Sequence, residues 1–112
     1  MENFISENPK KVVIQGIEFS IREMNGREYD AAANEYLSIT EDNRFSIDVA
    51  KRNEIWLKLC VVDSTVETIK PFKDLTVDEK IKLLQNLKPA IRLSLIKEIR
   101  ILNEMESDLQ KN

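Results

Sequence analysis

Few residues in this chain have side chains that can do chemistry. Its 112 residues include no histidine, and Cys60 is its one cysteine. A thiol nucleophile needs a neighbouring base, and a structural zinc site needs four nitrogen or sulfur ligands. The chain supplies neither set, so we predict that it is not an enzyme and that it holds no metal or other cofactor. We interpret Cys60, in the apolar run WLKLCVV, as a small core residue in a protein of a reducing cytoplasm.

Carboxylates are the remaining candidates, because paired acids can do acid–base chemistry or bind divalent cations. They recur at Asp30, Glu35, Glu41, Asp42, Asp48, Glu54 and Asp63. Their spacing does not match a calcium loop, so we interpret them as a solvated face. An enzyme with carboxylate-only chemistry stays an alternative that requires two acids in one concave pocket. The glycines at 16 and 26 are too far apart for a phosphate-binding loop.

Composition predicts one small globular domain. Hydrophobic residues make up 42% of the chain, charged residues 33%, and the net charge is -3. That balance argues against a general nucleic-acid binder. The last helix has a basic bias from Lys88, Arg92, Lys97 and Arg100, which we interpret as a solvated or ion-paired face rather than a phosphate contact. The chain has no apolar run of about 18 residues and no secretion signal, so we predict a cytoplasmic location without a membrane partner.

The front third predicts a β-hairpin that leads into a helix. In IEFSI, apolar and polar residues alternate with the period of a half-buried strand. Gly16 offers the positive φ that a tight turn requires, so we place the hairpin at residues 11–23. Asn25 and Glu28 have the spacing of a capping box at the start of a helix over 26–37.

Three further helices are predicted near 47–62, 77–87 and 89–108, with a polar loop over 38–46 and an irregular segment over 63–74. A second capping box, Thr76 and Glu79, opens the third helix. The residues expected to face the core are Tyr29, Ala32, Ala33, Tyr36 and Leu37 in the first helix, Val49, Trp56 and Cys60 in the second, and Val77, Ile81, Leu84 and Leu87 in the third.

The predicted fold is α+β, mainly α, with an N-terminal β-hairpin packed on a bundle of about four helices. We predict a single domain over residues 11–108. A flexible lead-in over residues 1–10 precedes it, and a flexible end over 109–112 follows it.

The last helix has more apolar residues than one buried stripe uses. The predicted stripe is Ile91, Leu95, Ile99, Leu102 and Met105, and three further apolar residues lie beside it. Exposed apolar patches usually mark contact with another chain. We therefore predict a protein-binding face on this helix, which consists of Leu93, Ile96, Arg100, Ile101 and Met105.

Three stretches of the chain resemble the tail assembly chaperones of tailed bacteriophages and prophages, especially those of Gram-positive hosts. They are VVIQGIEFSIREMNGREYDAAANEYL, the helix that ends in WLKLCVVDS, and DLTVDEKIKLLQNLKPAIRLS, and they cover most of residues 12–103. The resemblance implies a non-enzymatic assembly factor whose partners are the tape-measure protein, the tail-tube protein, or both. Such factors keep the long helical tape-measure protein soluble. Self-association into a homo-oligomer is also open.

A second functional class stays open alongside this one. Acidic domains of this size can block basic sites, so the alternative is a small phage-encoded inhibitor of a host defence or regulatory protein. A dense acidic face would favour the inhibitor, whereas an apolar groove would favour the chaperone.

Overall fold

The computed structural model describes the backbone of residues 9–68 and 70–111 and the side chains as far as Asn103. Within these residues the chain forms four α-helices and five short strands, an α+β fold that is mainly α, as predicted. In chain order the elements are β1 (Lys10–Ile14), β2 (Ile17–Ile21), α1 (Gly26–Tyr36), β3 (Leu37–Ile39), β4 (Phe45–Ile47), α2 (Val49–Cys60), β5 (Val61–Ser64), a short 3-10 helix (Phe72–Asp74), α3 (Val77–Gln85) and α4 (Pro89–Lys111).

The N-terminal hairpin forms where it was predicted. Strands β1 and β2 are antiparallel, and Ile14 pairs with Ile17 across a two-residue turn. Gln15 and Gly16 at the turn have φ angles of 49° and 83°. Positive φ at both central residues matches the right-handed twist of the two strands, which explains the glycine at this position.

The segment after α2 differs from the prediction. Residues 61–64 form β5, which pairs antiparallel with β2, so the sheet order among the described strands is β1-β2-β5. The sequence pattern predicts Val61 in the helix and Asp63 in an irregular segment, and both predictions are wrong. The helix ends at Cys60 because β2 offers hydrogen bonds along its second edge. The Arg22 N–H, for example, donates to the Cys60 carbonyl at 2.9 Å.

The predicted loop over 38–46 is wrong, because this region forms a second hairpin. Strands β3 and β4 are antiparallel and pair Leu37 with Ile47 and Ile39 with Phe45. The first helix therefore ends at Tyr36, and α2 begins after its N-cap Asp48, whose carboxylate accepts from the Lys51 N–H at 3.0 Å. Each strand is only three residues long, and that is too short to show a clear period of two.

Both predicted capping boxes are confirmed. Asn25 Oδ1 accepts from the Glu28 N–H at 2.8 Å, and Glu28 Oε1 accepts from the Asn25 N–H at 3.0 Å. Thr76 and Glu79 make the same reciprocal bonds at 3.1 and 2.8 Å. Each box satisfies two backbone donors that a helix otherwise leaves unpaired, which sets where α1 and α3 begin.

The core lies where β2, α2 and α4 meet. Its buried residues include Phe19 and Ile21 of β2, Trp56, Leu57 and Cys60 of α2, Leu84 of α3, and Ile91, Leu95, Ile96 and Ile99 of α4. Ala32 and Tyr36 pack with Ile55 in a smaller cluster. Three predicted core residues are in fact exposed, namely Leu37, Val49 and Val77. Leu37 belongs to β3, and the other two lie in the first turn of their helices.

The helix α4 extends to Lys111, beyond its expected end near residue 108. None of the helices in the described residues is long and apolar enough to span a lipid bilayer.

Candidate interaction surfaces

Helix α4 leaves large apolar side chains in solvent on the side that faces away from the core. Leu93 is 58% exposed and Ile101 is 38% exposed. Lys97 and Arg100, both exposed, lie between them along the helix. Leu93, Lys97 and Arg100 follow the i, i+4, i+7 spacing of one helix face, and Ile101 flanks it. We refer to these four residues as the α4 surface, which is about 12 Å long at 1.5 Å per residue.

Ile96 does not belong to this surface, so that part of the predicted face is wrong. Its side chain is 6% exposed and packs in the core with Leu95 and Ile99. The reason is that α4 contacts both α2 and β1, so it buries two neighbouring stripes instead of one. The side chain of Met105 lies outside the described residues. Of the predicted face, the structure therefore places Leu93, Arg100 and Ile101 at the surface.

A shallow groove opens between α2, the end of α3 and the start of α4. It has a volume of about 310 Å³, and its lining consists of the apolar residues Val49, Ala50 and Leu57 and the polar residues Asn53, Glu54, Gln85 and Arg92. The Arg92 guanidinium donates to the Gln85 carbonyl at 3.0 Å, which holds the ends of the two helices together. This volume is at the lower end for ligand pockets, so the groove fits one or two anchoring side chains of a protein partner.

The hairpin of β3 and β4 forms a third surface, which we call the ribbon. One face has four apolar side chains, Leu37, Ile39, Phe45 and Ile47, with exposed fractions of 38%, 65%, 76% and 48%. The other face has Ser38 and Ser46, which pair across the strands and are also exposed. Sequence reasoning missed this surface because it assigned these residues to a loop. The sequence signal for this hairpin is the shared apolar–serine–apolar pattern of LSI (37–39) and FSI (45–47), which flank a polar turn.

The acidic residues that were candidates for catalysis are distributed over the outside of the protein. Asp30, Glu35, Glu41, Asp42, Asp48 and Glu54 are exposed. Asp63 is half-buried, and its Oδ2 lies 3.7 Å from Lys73 Nζ. Among the described residues, no three histidine, cysteine or acidic side chains lie close enough together to hold a metal ion.

Cys60 is a core residue, as the sequence predicted. Its side chain is fully buried, and burial raises the pKa of the Cys60 thiol to about 11. The thiol is therefore protonated at neutral pH and is a poor nucleophile. Asn103 of α4 lies against it, with Nδ2 at 3.9 Å from Cys60 Sγ.

Asn103 connects α4 to the junction between β2 and α1. Its Oδ1 accepts from the Met24 N–H at 2.7 Å, and its Nδ2 donates to the Ile99 carbonyl at 2.8 Å. Next to this junction, the Arg22 guanidinium makes two hydrogen bonds with the Glu28 carboxylate, at 2.9 and 2.8 Å. These contacts orient α4, and with it the α4 surface, relative to the N-terminal hairpin.

We predict that the Arg22–Glu28 pair makes stability depend on pH. The hydrogen bond from Arg22 lowers the pKa of the Glu28 carboxyl from its ordinary value of 4.5. The Glu28 carboxyl therefore binds a proton less tightly in the folded chain than in the unfolded chain. The pair stabilises the fold at pH values above the unfolded pKa of Glu28, and this stabilisation is lost as the pH falls through the folded pKa. Glu28→Gln should lower the free energy of unfolding by about 0.5–1 kcal/mol near neutral pH.

Urea denaturation at a series of pH values measures the difference in the free energy of unfolding between the wild-type protein and Glu28→Gln. It should shrink towards zero below the folded pKa of Glu28, while the exposed Glu67→Gln control should show little difference at any pH. A Glu28→Gln difference that stays constant down to acid pH would contradict the assignment.

Comparison of the chain with protein-family models, with curated proteins and with solved structures gives no match.

Proposed function

We propose that this protein is a non-enzymatic tail assembly chaperone of a tailed bacteriophage or prophage. It acts in the cytoplasm of the host cell, where it binds the helical tape-measure protein and helps the tail tube to assemble. The observation that carries the proposal is the α4 surface, on which Leu93 and Ile101 are exposed at 58% and 38% on either side of Lys97 and Arg100. The resemblance in the sequence supports the same function.

The α4 surface suits an amphipathic helix as its partner. Its two apolar side chains are separated by about two helical turns, the interval at which apolar residues recur on one face of a partner helix. Lys97 and Arg100 lie between these side chains and can pair with acidic residues beside the apolar stripe of that helix. Helical partners are commonly recognised by apolar anchors at this spacing.

The size of the α4 surface predicts reversible binding. Leu93 and Ile101 leave roughly 170 Å² of apolar surface in solvent, which gives about 4 kcal/mol on burial at 25 cal/mol per Å². The loss of translational and rotational freedom on association offsets much of this gain. One copy therefore binds weakly, and many copies along one long helix bind as a coat that the growing tube can displace.

The groove provides a second contact next to the start of α4. Val49, which is 51% exposed, and the buried Leu57 both line the groove. Glu54 and Arg92 in the lining have opposite charges, so the groove favours neither an acidic nor a basic side chain of the partner. An apolar side chain of the partner that enters this groove would add to the contact at the α4 surface.

The surfaces favour the chaperone over an inhibitor that mimics an acidic ligand. The exposed charges on the α4 surface are Lys97 and Arg100, which are basic, and the larger side chains of the ribbon form an apolar face. A mimic of a nucleic acid or an acidic peptide would instead concentrate carboxylates on its binding face.

The test is a titration of the purified protein with a soluble fragment of the tape-measure protein encoded in the same genome. Leu93→Lys combined with Ile101→Lys should weaken binding by about tenfold or more, because both apolar contacts are lost and the added charges must be desolvated. Both side chains are exposed, so the melting temperature should change little.

The matched control is Val77→Lys on α3. Val77 is 57% exposed, similar to Leu93, but it lies outside the α4 surface and does not line the groove. This variant should bind like the wild-type protein. Unchanged affinity in the double variant, or an equal loss in the control, would contradict the proposed site.

A further inference from the structure

We propose that the ribbon is a self-association surface, on which the apolar face of β3 and β4 packs face to face against the same face of a second copy of this chain. This inference is independent of the proposed function, because it involves no other protein.

The ribbon has two different faces. The side chains of Leu37, Ile39, Phe45 and Ile47 lie on one side of the two strands, because residues two apart in a strand share a face and the register pairs Leu37 with Ile47 and Ile39 with Phe45. Ser38 and Ser46 lie on the other side. Burial of the apolar face is favourable, because it removes apolar surface from water.

The hydrogen bonds of the ribbon show that its apolar side chains are closely paired. The Asp48 N–H donates to the Tyr36 carbonyl at 2.9 Å, and the Thr40 N–H donates to the Arg44 carbonyl at 2.8 Å. In an antiparallel ladder, bonded pairs alternate with non-bonded pairs, so Leu37–Ile47 and Ile39–Phe45 are the non-bonded pairs. Side chains approach most closely in such pairs, which makes the four of them one continuous patch.

The absence of charge in both strands favours a second copy as the occupant. Residues 37–39 and 45–47 include no acid or base, so two identical faces meet without like-charge repulsion. The charges of the hairpin, on Glu41, Asp42 and Arg44, are confined to the turn.

The area of the patch agrees with a weak dimer. The exposed fractions of 38–76% correspond to roughly 400–500 Å² of surface per copy, below the ~800 Å² per partner of a standard stable interface. Association should therefore depend on concentration. A two-fold axis suits the patch, because each copy presents the same surface.

Face-to-face packing accounts for the apolar patch better than edge-to-edge pairing does. Pairing at the edges would extend the ribbon into a four-stranded sheet and leave all the apolar side chains of both copies in water. Packing the faces about 10 Å apart, as in stacked sheets, removes them from water.

The first test is analytical ultracentrifugation of the full chain over a wide range of concentration. The wild-type protein should show a reversible monomer–dimer equilibrium. Phe45→Lys should weaken the dimer by about tenfold or more, because Phe45 is the most exposed of the four side chains. Ser46→Lys is the matched control, since it adds the same charge to the same strand on the opposite face and should leave the dimer intact.

A wild-type protein that stays monomeric at every concentration would overturn the proposal, as would equal effects of the two lysine variants. Circular dichroism of both variants establishes that the helical core still forms.

Cross-linking tests the same contact without a charged substitution. Ile39→Cys should link two copies through a short bis-maleimide, because facing positions on two stacked ribbons lie within its reach. Ser38→Cys, its neighbour on the opposite face, should not link. The native Cys60 is fully buried and contributes little background. Linkage through position 38 instead of position 39 would overturn the face-to-face arrangement.

Discussion

Replacement of Ile96 by lysine is expected to unfold the protein or to bring it close to unfolding. Ile96 is 6% exposed and packs in the core with Leu95 and Ile99. The ammonium group of the new lysine would either be buried in the apolar core or reach solvent by displacing the side chains around it. We expect a loss of about 4–5 kcal/mol in the free energy of unfolding. That is a large part of the 5–15 kcal/mol that stabilises a typical domain.

Ile101→Lys is the matched control for this prediction. It makes the same substitution on the same helix, at a residue that is 38% exposed, and should lower stability by only about 1 kcal/mol. Urea denaturation followed by circular dichroism measures both variants. Similar stability of the two variants would contradict the burial of Ile96 and the exposure of Ile101 on α4.

Replacement of Asn103 by leucine is expected to have the second largest effect. The Asn103 side chain accepts from the Met24 N–H at 2.7 Å, and Met24 is 8% exposed. Leucine has a similar size but no acceptor, so it leaves the partly buried Met24 N–H without its hydrogen-bond partner. An unsatisfied donor that is fully buried costs about 1–3 kcal/mol, and for this partly buried one we expect a loss of about 1–2 kcal/mol.

Hydrogen exchange distinguishes this mechanism from a general loss of packing. In Asn103→Leu, the Met24 amide should exchange faster by more than the global loss of stability explains, because its acceptor is gone. Asn34→Leu, an exposed position on α1, is the control and should leave both stability and the Met24 amide unchanged. An unchanged Met24 exchange rate in Asn103→Leu would contradict the proposed link between α4 and the β2–α1 junction.

The parts of the fold that sequence reasoning predicted are those with local causes. The capping boxes at Asn25–Glu28 and Thr76–Glu79 involve residues three apart, and the turn at Gly16 depends on the backbone freedom of glycine. These signals set the starts of α1 and α3 and the first hairpin correctly. They depend on no contact between distant parts of the chain.

The parts that sequence reasoning missed depend on distant contacts or on very short elements. Strand β5 forms because β2, some forty residues earlier, offers a free edge to Val61. The contact between Met24 and Asn103 spans 79 residues. The sequence alone could not show that Ile96 is buried while Ile101 is exposed, because both lie beside the predicted stripe and the outcome depends on what α4 packs against.

The proposed function is tested most directly by co-expression with the tape-measure protein of the same genome. We expect a tape-measure fragment that precipitates alone to stay soluble with the wild-type protein and to co-elute with several copies of it. With the Leu93→Lys, Ile101→Lys double variant, the fragment should precipitate again. A fragment that precipitates equally with the wild-type protein, without any co-eluting complex, would contradict the assignment of this protein as a tail assembly chaperone.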